Sequence, residues 1–315
     1  MDGRVLRLLA CPSCGGELAE QTDALLCRGC GRAHPVRDGI PRFVPAEDYT
    51  ESFGFQWRRF EQTQLGLAAA TAERFGRETR WPRSLPGEVV VEAGCGAGRF
   101  TGLAASTGAT VISLDASLAV EAARRNNPLP NVTFLQADLR ALPLRPGVAD
   151  RLFCFGVLQH TPDPEASFRA LLPCLRPGGE VAIDVYRLSW RTLLAGKYAL
   201  RLVTKRIAPR RLFPLVRVYF AVLWPILAPF HWLIGRRAWR VGALLGIADY
   251  RGVHDLEPAQ VRELSLLDTF DMLSPAHDHP RTLGAVRRWL ERAGLEQIEV
   301  GEGHNGVLAR GRKPA

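Results

Sequence analysis

The stretch Glu88-Val89-Val90-Val91-Glu92-Ala93-Gly94-Cys95-Gly96-Ala97-Gly98-Arg99-Phe100 decides the fold. Its first half, 88–93, is a short and nearly continuous apolar run, the pattern of a strand buried on both faces of a parallel sheet. Its second half places glycine at 94, 96 and 98. Glycine has no Cβ and tolerates positive φ, so such a turn brings backbone close to a ligand. In an open α/β sheet that is the place where ligands bind, at the carboxyl ends of the strands.

The pattern repeats outward from this turn. A helix is predicted over 97–106, a strand over 110–115, and a helix over 117–126 with Ser117 as N-cap. Strands follow at 131–138 and 149–155, then a helix at 163–174. A fifth strand at 179–186 is entered through the turn Pro177-Gly178-Gly179. Near the end, 282–293 reads as an amphipathic helix with Thr282 near its cap and Gly294 just past it, and 295–300 and 306–310 read as closing strands that pair. Strands alternating with helices imply an α/β fold: a doubly wound, Rossmann-like, mostly parallel sheet with an antiparallel C-terminal edge.

The turn is not a dinucleotide fingerprint. That motif needs a small residue where Arg99 stands, to let helix and strand pack closely. Glu92, two residues before the first glycine, would sit poorly beside a pyrophosphate but suits a cationic ligand such as the amino group of a methionine moiety. Asp115 ends the second strand, where an acid can accept both hydroxyls of a ribose. Asp138 ends the third, where a side-chain acceptor can meet an adenine exocyclic amine.

With these residues in place, the sequence resembles the class I S-adenosylmethionine-dependent methyltransferases of the type 11-like group. VVVEAGCGAGRF resembles their first motif, VISLDAS the second and QADLRALPL the third, and the stretch from Phe155 to Tyr186 resembles their path from the fourth strand to the fifth. The resemblance covers about 85–186 and implies S-adenosylmethionine as cofactor. It implies that Glu92, Gly94, Gly96 and Gly98 surround the methionine part and that Asp115 with Ala116 holds the ribose. Asp138 with Leu139 would flank the adenine, and Phe155, Gly156 and on to Leu158 would line the cofactor near the sulfonium.

The N-terminal segment carries Cys11-x2-Cys14 and Cys27-x2-Cys30, each pair followed by glycine. Four thiolates at this spacing suit a closed tetrahedral Zn(II) site, which supplies folding energy to a segment with little core and leaves no open position for catalysis. The stretch resembles the small, Trm112-like zinc-ribbon proteins that partner or precede methyltransferases. Substrate contact, support of the catalytic domain and dimerisation are all open to it.

Composition is that of a globular protein, 47% apolar and 23% charged over 315 residues, large enough to build a core without disulfides. Seven cysteines, four of them in CxxC pairs, fit a reducing compartment, and no signal-peptide pattern precedes them, so the expected location is cytoplasmic, with a membrane-peripheral alternative. The net charge of +9 is uneven: residues 187–248 hold twelve Arg or Lys and no acid, and the rest of the chain is at −3.

The expected organisation is a ribbon at 1–46, a linking segment at 47–84, a cofactor-binding core at 85–186, a basic apolar helical insertion at 187–280 and a closing helix and strands at 281–315. In the linking segment Phe53, Phe55, Trp57 and Phe60 suit either a lid over the cofactor or packing between ribbon and sheet. In the insertion, 218–234 has no formal charge, is short for a spanning helix and is interrupted at Pro225 and Pro229. A substrate lid, a homodimer contact, a membrane-surface contact through 217–237 and a span are its readings.

Methyl transfer needs an aligned acceptor, and a base when the acceptor is a hydroxyl. His160, just after the fourth strand, is the first candidate, with His277 and His279 behind it and Tyr186 and His254 weaker. The leading function is O- or N-methylation of a small-molecule acceptor, a specialised metabolite, sugar or lipid-like compound, anionic or amphiphilic, in biosynthesis. The alternatives are an RNA- or protein-directed methyltransferase that docks through the ribbon, and a non-catalytic cofactor-binding partner subunit. Nucleic acid fits the insertion less well, because its cations are interleaved with long aliphatic runs.

Overall fold

In the computed structural model, which describes residues 2–44 and 50–315, the expected strands assemble into one seven-stranded sheet. Its members are β5 (Val89–Ala93), β6 (Thr110–Asp115), β7 (Val132–Gln136), β8 (Ala149–Cys154), β9 (Leu175–Tyr186), β10 (Glu296–Gly303) and β11 (Gly306–Arg312), in the order β10-β11-β9-β8-β5-β6-β7. Pairings among β5 to β9 are parallel, whereas β11 runs antiparallel to both β9 and β10. The order reverses beside β5, so the connections after β5 and β8 diverge there and leave a crevice at the glycine turn.

Burial explains the strand sequences. Val90, Val91, Val111, Ile112 and Leu152 are fully enclosed, as continuous apolar runs between two helical layers require. The helices α3 (Ala68–Thr79), α4 (Thr101–Ser106), α5 (Ala119–Asn126), α6 (Pro164–Leu171) and α12 (Leu283–Arg292) follow the expected alternation. Local chemistry sets their starts. Asp163 accepts from the backbone N–H groups of Glu165 and Ala166 ahead of Pro164, and Thr282 accepts from that of Ala285.

Several boundaries depart from expectation: β9 begins at Leu175, so that Pro177-Gly178-Gly179 lies within it rather than before it, and β7 stops at Gln136. Helix α4 starts at Thr101 rather than 97, because positive φ at Gly94, Gly96 and Gly98 keeps the chain in the turn. Ser117 lies one residue before the N-cap, and its Oγ accepts from the Ala119 N–H at 3.1 Å.

The N-terminal module is a four-stranded antiparallel sheet, β1 (Leu18–Glu20), β2 (Ala24–Cys27), β3 (Ala33–Arg37) and β4 (Ile40–Pro41), preceded by the one-turn α1 (Gly3–Leu6). It is built onto the free edge of the large sheet. Phe43 N–H donates to the Gln136 carbonyl at 2.8 Å, and Arg42 pairs with Glu121 at 2.9 Å and donates to Gln136 Oε1 at 3.1 Å. Val5, Leu9, Leu18 and Leu25 share one apolar cluster with Leu135, Leu139 and Leu144. An open strand edge is thereby covered. The expected boundary between ribbon and linking segment, at 46/47, lies outside the described residues.

The insertion is helical: α7 (Trp190–Leu193), α8 (Lys197–Thr204), α9 (Pro209–Ile234), α10 (Trp239–Leu244) and α11 (Pro258–Leu273). The expected interruption at Pro225 and Pro229 is corrected here, since α9 runs unbroken for 26 residues through Pro214, Pro225 and Pro229. A proline removes one N–H and crowds the carbonyl four residues back. All three prolines stand on the exposed side of α9, where freed carbonyls can be solvated, and the bond that Pro229 cannot make is the one to Pro225. The other side is tightly buried through Leu212, Phe213, Val216, Phe220 and Leu227.

Candidate active site

Gly94, Gly96 and Gly98 adopt φ of 83°, 54° and 84°, a region that other residues enter only at a cost. Each also faces a close neighbour. A Cβ on Gly94 would overlap the Val157 side chain at 2.3 Å, and one on Gly98 would meet Ala123 Cα at 3.1 Å. A Cβ on Gly96 would meet the Trp57 indole at 3.3 Å. The turn is tied to β6 by Asp115, whose Oδ2 accepts from Gly96 N–H at 2.9 Å while Oδ1 accepts from Ser117 N–H and Oγ.

A cavity of about 570 Å³ opens over this turn. From the sheet side it is lined by Gly94, Gly96, Asp115, Ala116, Leu139, Phe155 and Gly156, all anticipated from the sequence. From above it is covered by α2 (Glu51–Arg59) and by the insertion. Of the aromatic residues of the linking segment, two take the lid position and two pack against the insertion rather than between ribbon and sheet. Phe53 and Trp57, one helical turn apart, face the cavity, whereas Phe55 and Phe60 pack on Phe213 at 5.7 and 5.9 Å between centroids.

Two acids expected at the cofactor stand elsewhere. Glu92 is enclosed beneath the turn, where its Oε2 accepts from Thr101 Oγ1 at 2.5 Å and Ser113 Oγ at 2.6 Å, and it does not line the cavity. Burial raises its pKa to about 7, against the opposing pull of those two hydroxyls. Asp138 gives both carboxylate oxygens to Arg140, at 3.1 and 2.9 Å from its Nε, and only its neighbours Ala137 and Leu139 reach the wall. Gly98 likewise serves packing against α5 rather than the wall.

The histidines separate in the same way. His160 is buried on the cavity wall, 5.1 Å from the Phe53 ring and 5.3 Å from that of Tyr186. Its Nδ1 lies 3.0 Å from the carbonyl oxygen of His277. A carbonyl only accepts, so Nδ1 carries the proton and Nε2 keeps a lone pair in the neutral ring. Burial lowers the His160 pKa and favours that neutral form. The rings of His277 and His279 stack on each other at 5.5 Å and do not line the cavity; their segment contributes backbone, with His279 N–H donating to the Gln159 carbonyl at 2.8 Å.

The insertion adds groups that periodicity did not single out. Asp268 and Asp271, one turn apart on α11, both line the cavity. Asp268 accepts from Tyr250 Oη at 2.5 Å, and burial together with the charge of Asp271 lifts its pKa to about 7. Asp271 accepts from Gln56 Nε2 at 3.0 Å. Lys197 stands 4.9 Å from the Tyr186 ring centroid and pairs with Asp278 at 2.6 Å. On the wall, Arg74 joins Glu78 at 2.9 Å and Asp184 at 2.5 Å behind it, and Asp184 also accepts from Gly156 N–H. The DTFDMLSP run carries these acids, but its helical register shows only once α11 is packed.

The four cysteines of the ribbon converge. Their sulfurs all lie within 4.8 Å of one another, with Cys14 and Cys27 at 3.4 Å and Cys11 and Cys30 at 3.8 Å. A tetrahedral zinc with bonds of about 2.3 Å needs sulfurs about 3.8 Å apart. A Cβ on Gly16 would lie 2.9 Å from Cys27 Sγ, so glycine is needed beside the cluster. These residues fit a structural zinc.

Comparison with known proteins agrees with this geometry. Residues 91–183 match the family model described as a methyltransferase domain, and residues 2–39 match that of Trm112p-like proteins. Ubiquinone biosynthesis O-methyltransferase of Pseudomonas fluorescens is 35% identical over 102 residues, 31% of this chain and 44% of that protein. Its namesake in Bordetella bronchiseptica is 31% identical over 161 residues, 48% of this chain and 66% of that protein. An uncharacterised protein of Synechococcus is 30% identical over 159 residues, and only 33% of its length is spanned. The chain thus spans a third to a half of the first curated relatives it matches. The solved complex between the Haloferax volcanii Trm112 methyltransferase activator and a methyltransferase has the same fold, with a TM-score of 0.50 at 13% identity over 86% of this chain and all of that one. Residues 91–183 thus match a methyltransferase domain, carried on a Rossmann-like sheet. The chain's particular form has a Trm112-like zinc ribbon joined to that domain in a single polypeptide.

Proposed function

We propose that this protein transfers the methyl group of S-adenosylmethionine to a small-molecule acceptor at oxygen or nitrogen, a metabolite with an aromatic, sugar or lipid-like body. One observation carries the reading. One cavity is lined both by the glycine turn with Asp115 and by side chains of the insertion, among them Lys197, Asp268 and Asp271. Its size suits a nucleoside-bearing cofactor with a small acceptor beside it. A macromolecular acceptor would have to present its atom through this cover.

In this reading Asp115 holds the ribose hydroxyls, and Ala116, Ala137 and Leu139 flank the base. Gly94 and Gly96 let the methionine part approach the backbone. Glu92 acts from below, holding the turn through Thr101 and Ser113. His160 Nε2 is the candidate base for a hydroxyl acceptor, positioned by the His277 carbonyl. Asp268, with its pKa near 7, is a second group able to exchange a proton at neutral pH. His279 has no part in this assignment. The ubiquinone biosynthesis O-methyltransferase relatives support an oxygen acceptor. The reading places the protein in the cytoplasm.

The test is a mass-shift screen with methyl-labelled cofactor against pools of phenols, amines, sugars and amphiphilic alcohols, with total RNA and protein in parallel. Label in a small molecule, lost in His160→Asn, supports the reading. Label only in RNA or protein would replace it with a macromolecular acceptor. Cofactor binding without transfer to any pool would favour a partner subunit.

A further inference from the structure

The insertion leaves an apolar surface uncovered. Among the described residues, every large apolar side chain that stands exposed lies between 188 and 245, except Leu129 and Val253. On α9 they form a stripe at helical spacing: Leu215, Val218, Val222, Ile226, Phe230 and Leu233. This stripe is turned away from Leu212, Val216, Phe220 and Leu227, which pack into the fold. Contiguous exposed patches of this kind mark interaction sites on folded proteins.

The surroundings specify what covers it. Arg210, Arg211, Arg217, Arg237 and Arg240 are exposed along or just beyond α9, and Lys205 and Arg206 stand beside exposed Leu202 and Val203. No acid occurs from 187 to 248 to neutralise them. Two tryptophans project into solvent at the C-terminal end of the stripe, Trp232 and Trp239, the first with 86% of its surface exposed. Apolar stripe, arginine margin and amphipathic ring systems together form the surface that fits the headgroup region of an anionic bilayer. A protein partner or a second copy would need acids to match these cations, and among the residues lining the groove beside α9 only Glu263, which lines it with Arg217, offers one.

The helix is long and apolar enough to cross a membrane, with a mean hydropathy of 1.7 in its best window. Its inward side is nevertheless committed to contacts with the rest of the fold, where Phe213 meets Phe55 and Phe270 and where Phe220 and Leu227 share a cluster with Ile247. A helix held along one side can lie on a bilayer but cannot thread it.

We propose that the exposed face of α9, with the adjoining margin of α8 and α10, seats this protein on an anionic lipid surface. The seat is continuous with the cavity cover: Leu194 and Leu202 are exposed on either side of Lys197 and Tyr198, which line the cavity. An amphiphilic molecule at the lipid surface would meet the cavity without crossing bulk water. The docking itself does not depend on which molecule is methylated.

The test uses the full chain in vesicle flotation, with phosphatidylcholine alone and with about one-third phosphatidylglycerol. Retention on anionic vesicles only, weakened by salt, is expected. Ile226→Asp with Val222→Asp, at sites 53% and 56% exposed, should lower retention at least about tenfold while leaving the melting temperature unchanged. Arg210→Glu with Arg211→Glu should lower it too and flatten its salt dependence. No retention on anionic vesicles overturns the proposal, as does retention indifferent to Ile226→Asp. A dimer in sedimentation that Ile226→Asp disperses, without vesicle binding, overturns it in favour of self-association.

Discussion

The backbone N–H of Gly96 donates to Asp115 Oδ2 over 2.9 Å, so one carboxylate both ends β6 and fixes the glycine turn. Charge-assisted hydrogen bonds of this kind contribute about 1.5–3 kcal/mol each. Asp115→Ala therefore loses the turn's anchor together with the proposed ribose contact. Calorimetry should show cofactor affinity falling by about 10- to 100-fold or more. Affinity unchanged in Asp115→Ala would remove the ribose assignment.

His160 gives a different kind of signature. Its neutral tautomer is fixed by the His277 carbonyl, and burial holds its pKa below the ordinary histidine value. The acid limb of kcat/KM should therefore fall below about pH 6.5. His160→Asn should lower kcat by about 10²- to 10⁴-fold if the ring is the base, with cofactor affinity preserved. A fall in cofactor affinity with little change in kcat would instead make it a packing residue.

Glu92 predicts how stability varies with pH. Folded, it holds its proton up to about pH 7, whereas an unfolded glutamate releases it above about 4.5. Between those values the folded chain binds more protons, so this group takes away stability as pH rises, and its full penalty applies above about 7. Glu92→Gln should remove that dependence in the cofactor-free protein. Urea unfolding at pH 5 and pH 8 should show the variant gaining on the parent at the higher pH, by at most about 3 kcal/mol. A constant difference across that range would contradict the buried, protonated state.

The ribbon should matter to the cofactor turn as well as to itself. Ile40 of β4 is buried in one cluster with Cys95 of the turn, Val120 and Ala123 of α5 and Phe134 of β7. Ile40→Ala should cost about 2–5 kcal/mol. Removal of zinc by a chelator, or Cys14→Ser, should lower the melting temperature and weaken cofactor binding together. Cofactor affinity unaffected by chelation would confine the metal to the ribbon alone.

The distribution of what could be read in advance follows from the range of each interaction. Alternating β and α segments, the positive-φ glycines, the acid at the end of β6 and the two CxxC knuckles depend on neighbours within a few residues. The same holds for the caps at Asp163 and Thr282. Periodicity and spacing report such features directly, so the parallel sheet, the glycine turn at the cavity and the four-cysteine cluster were all legible from the chain.

Other features were settled by partners far away in sequence. Asp138 lies two residues past the end of β7, and its carboxylate faces Arg140 rather than the cavity. Phe53 and Trp57 face the cavity while Phe55 and Phe60 do not, because α2 must also fill the apolar cluster around Phe213 and Phe270. Three prolines read as helix breaks, but packing along one side of α9 outweighs the hydrogen bonds they remove on the other. Asp268 and Asp271 enter the cavity because α11 folds back over the sheet, some 170 residues beyond the glycine turn. By itself the sequence determined the scaffold, the glycine turn and the pairing of the four cysteines into two CxxC knuckles, each the product of local backbone geometry and hydrophobic period. Only the tertiary structure decided which side chains line the acceptor cavity and which face of α9 remains bare, because both depend on long-range packing that no local pattern encodes.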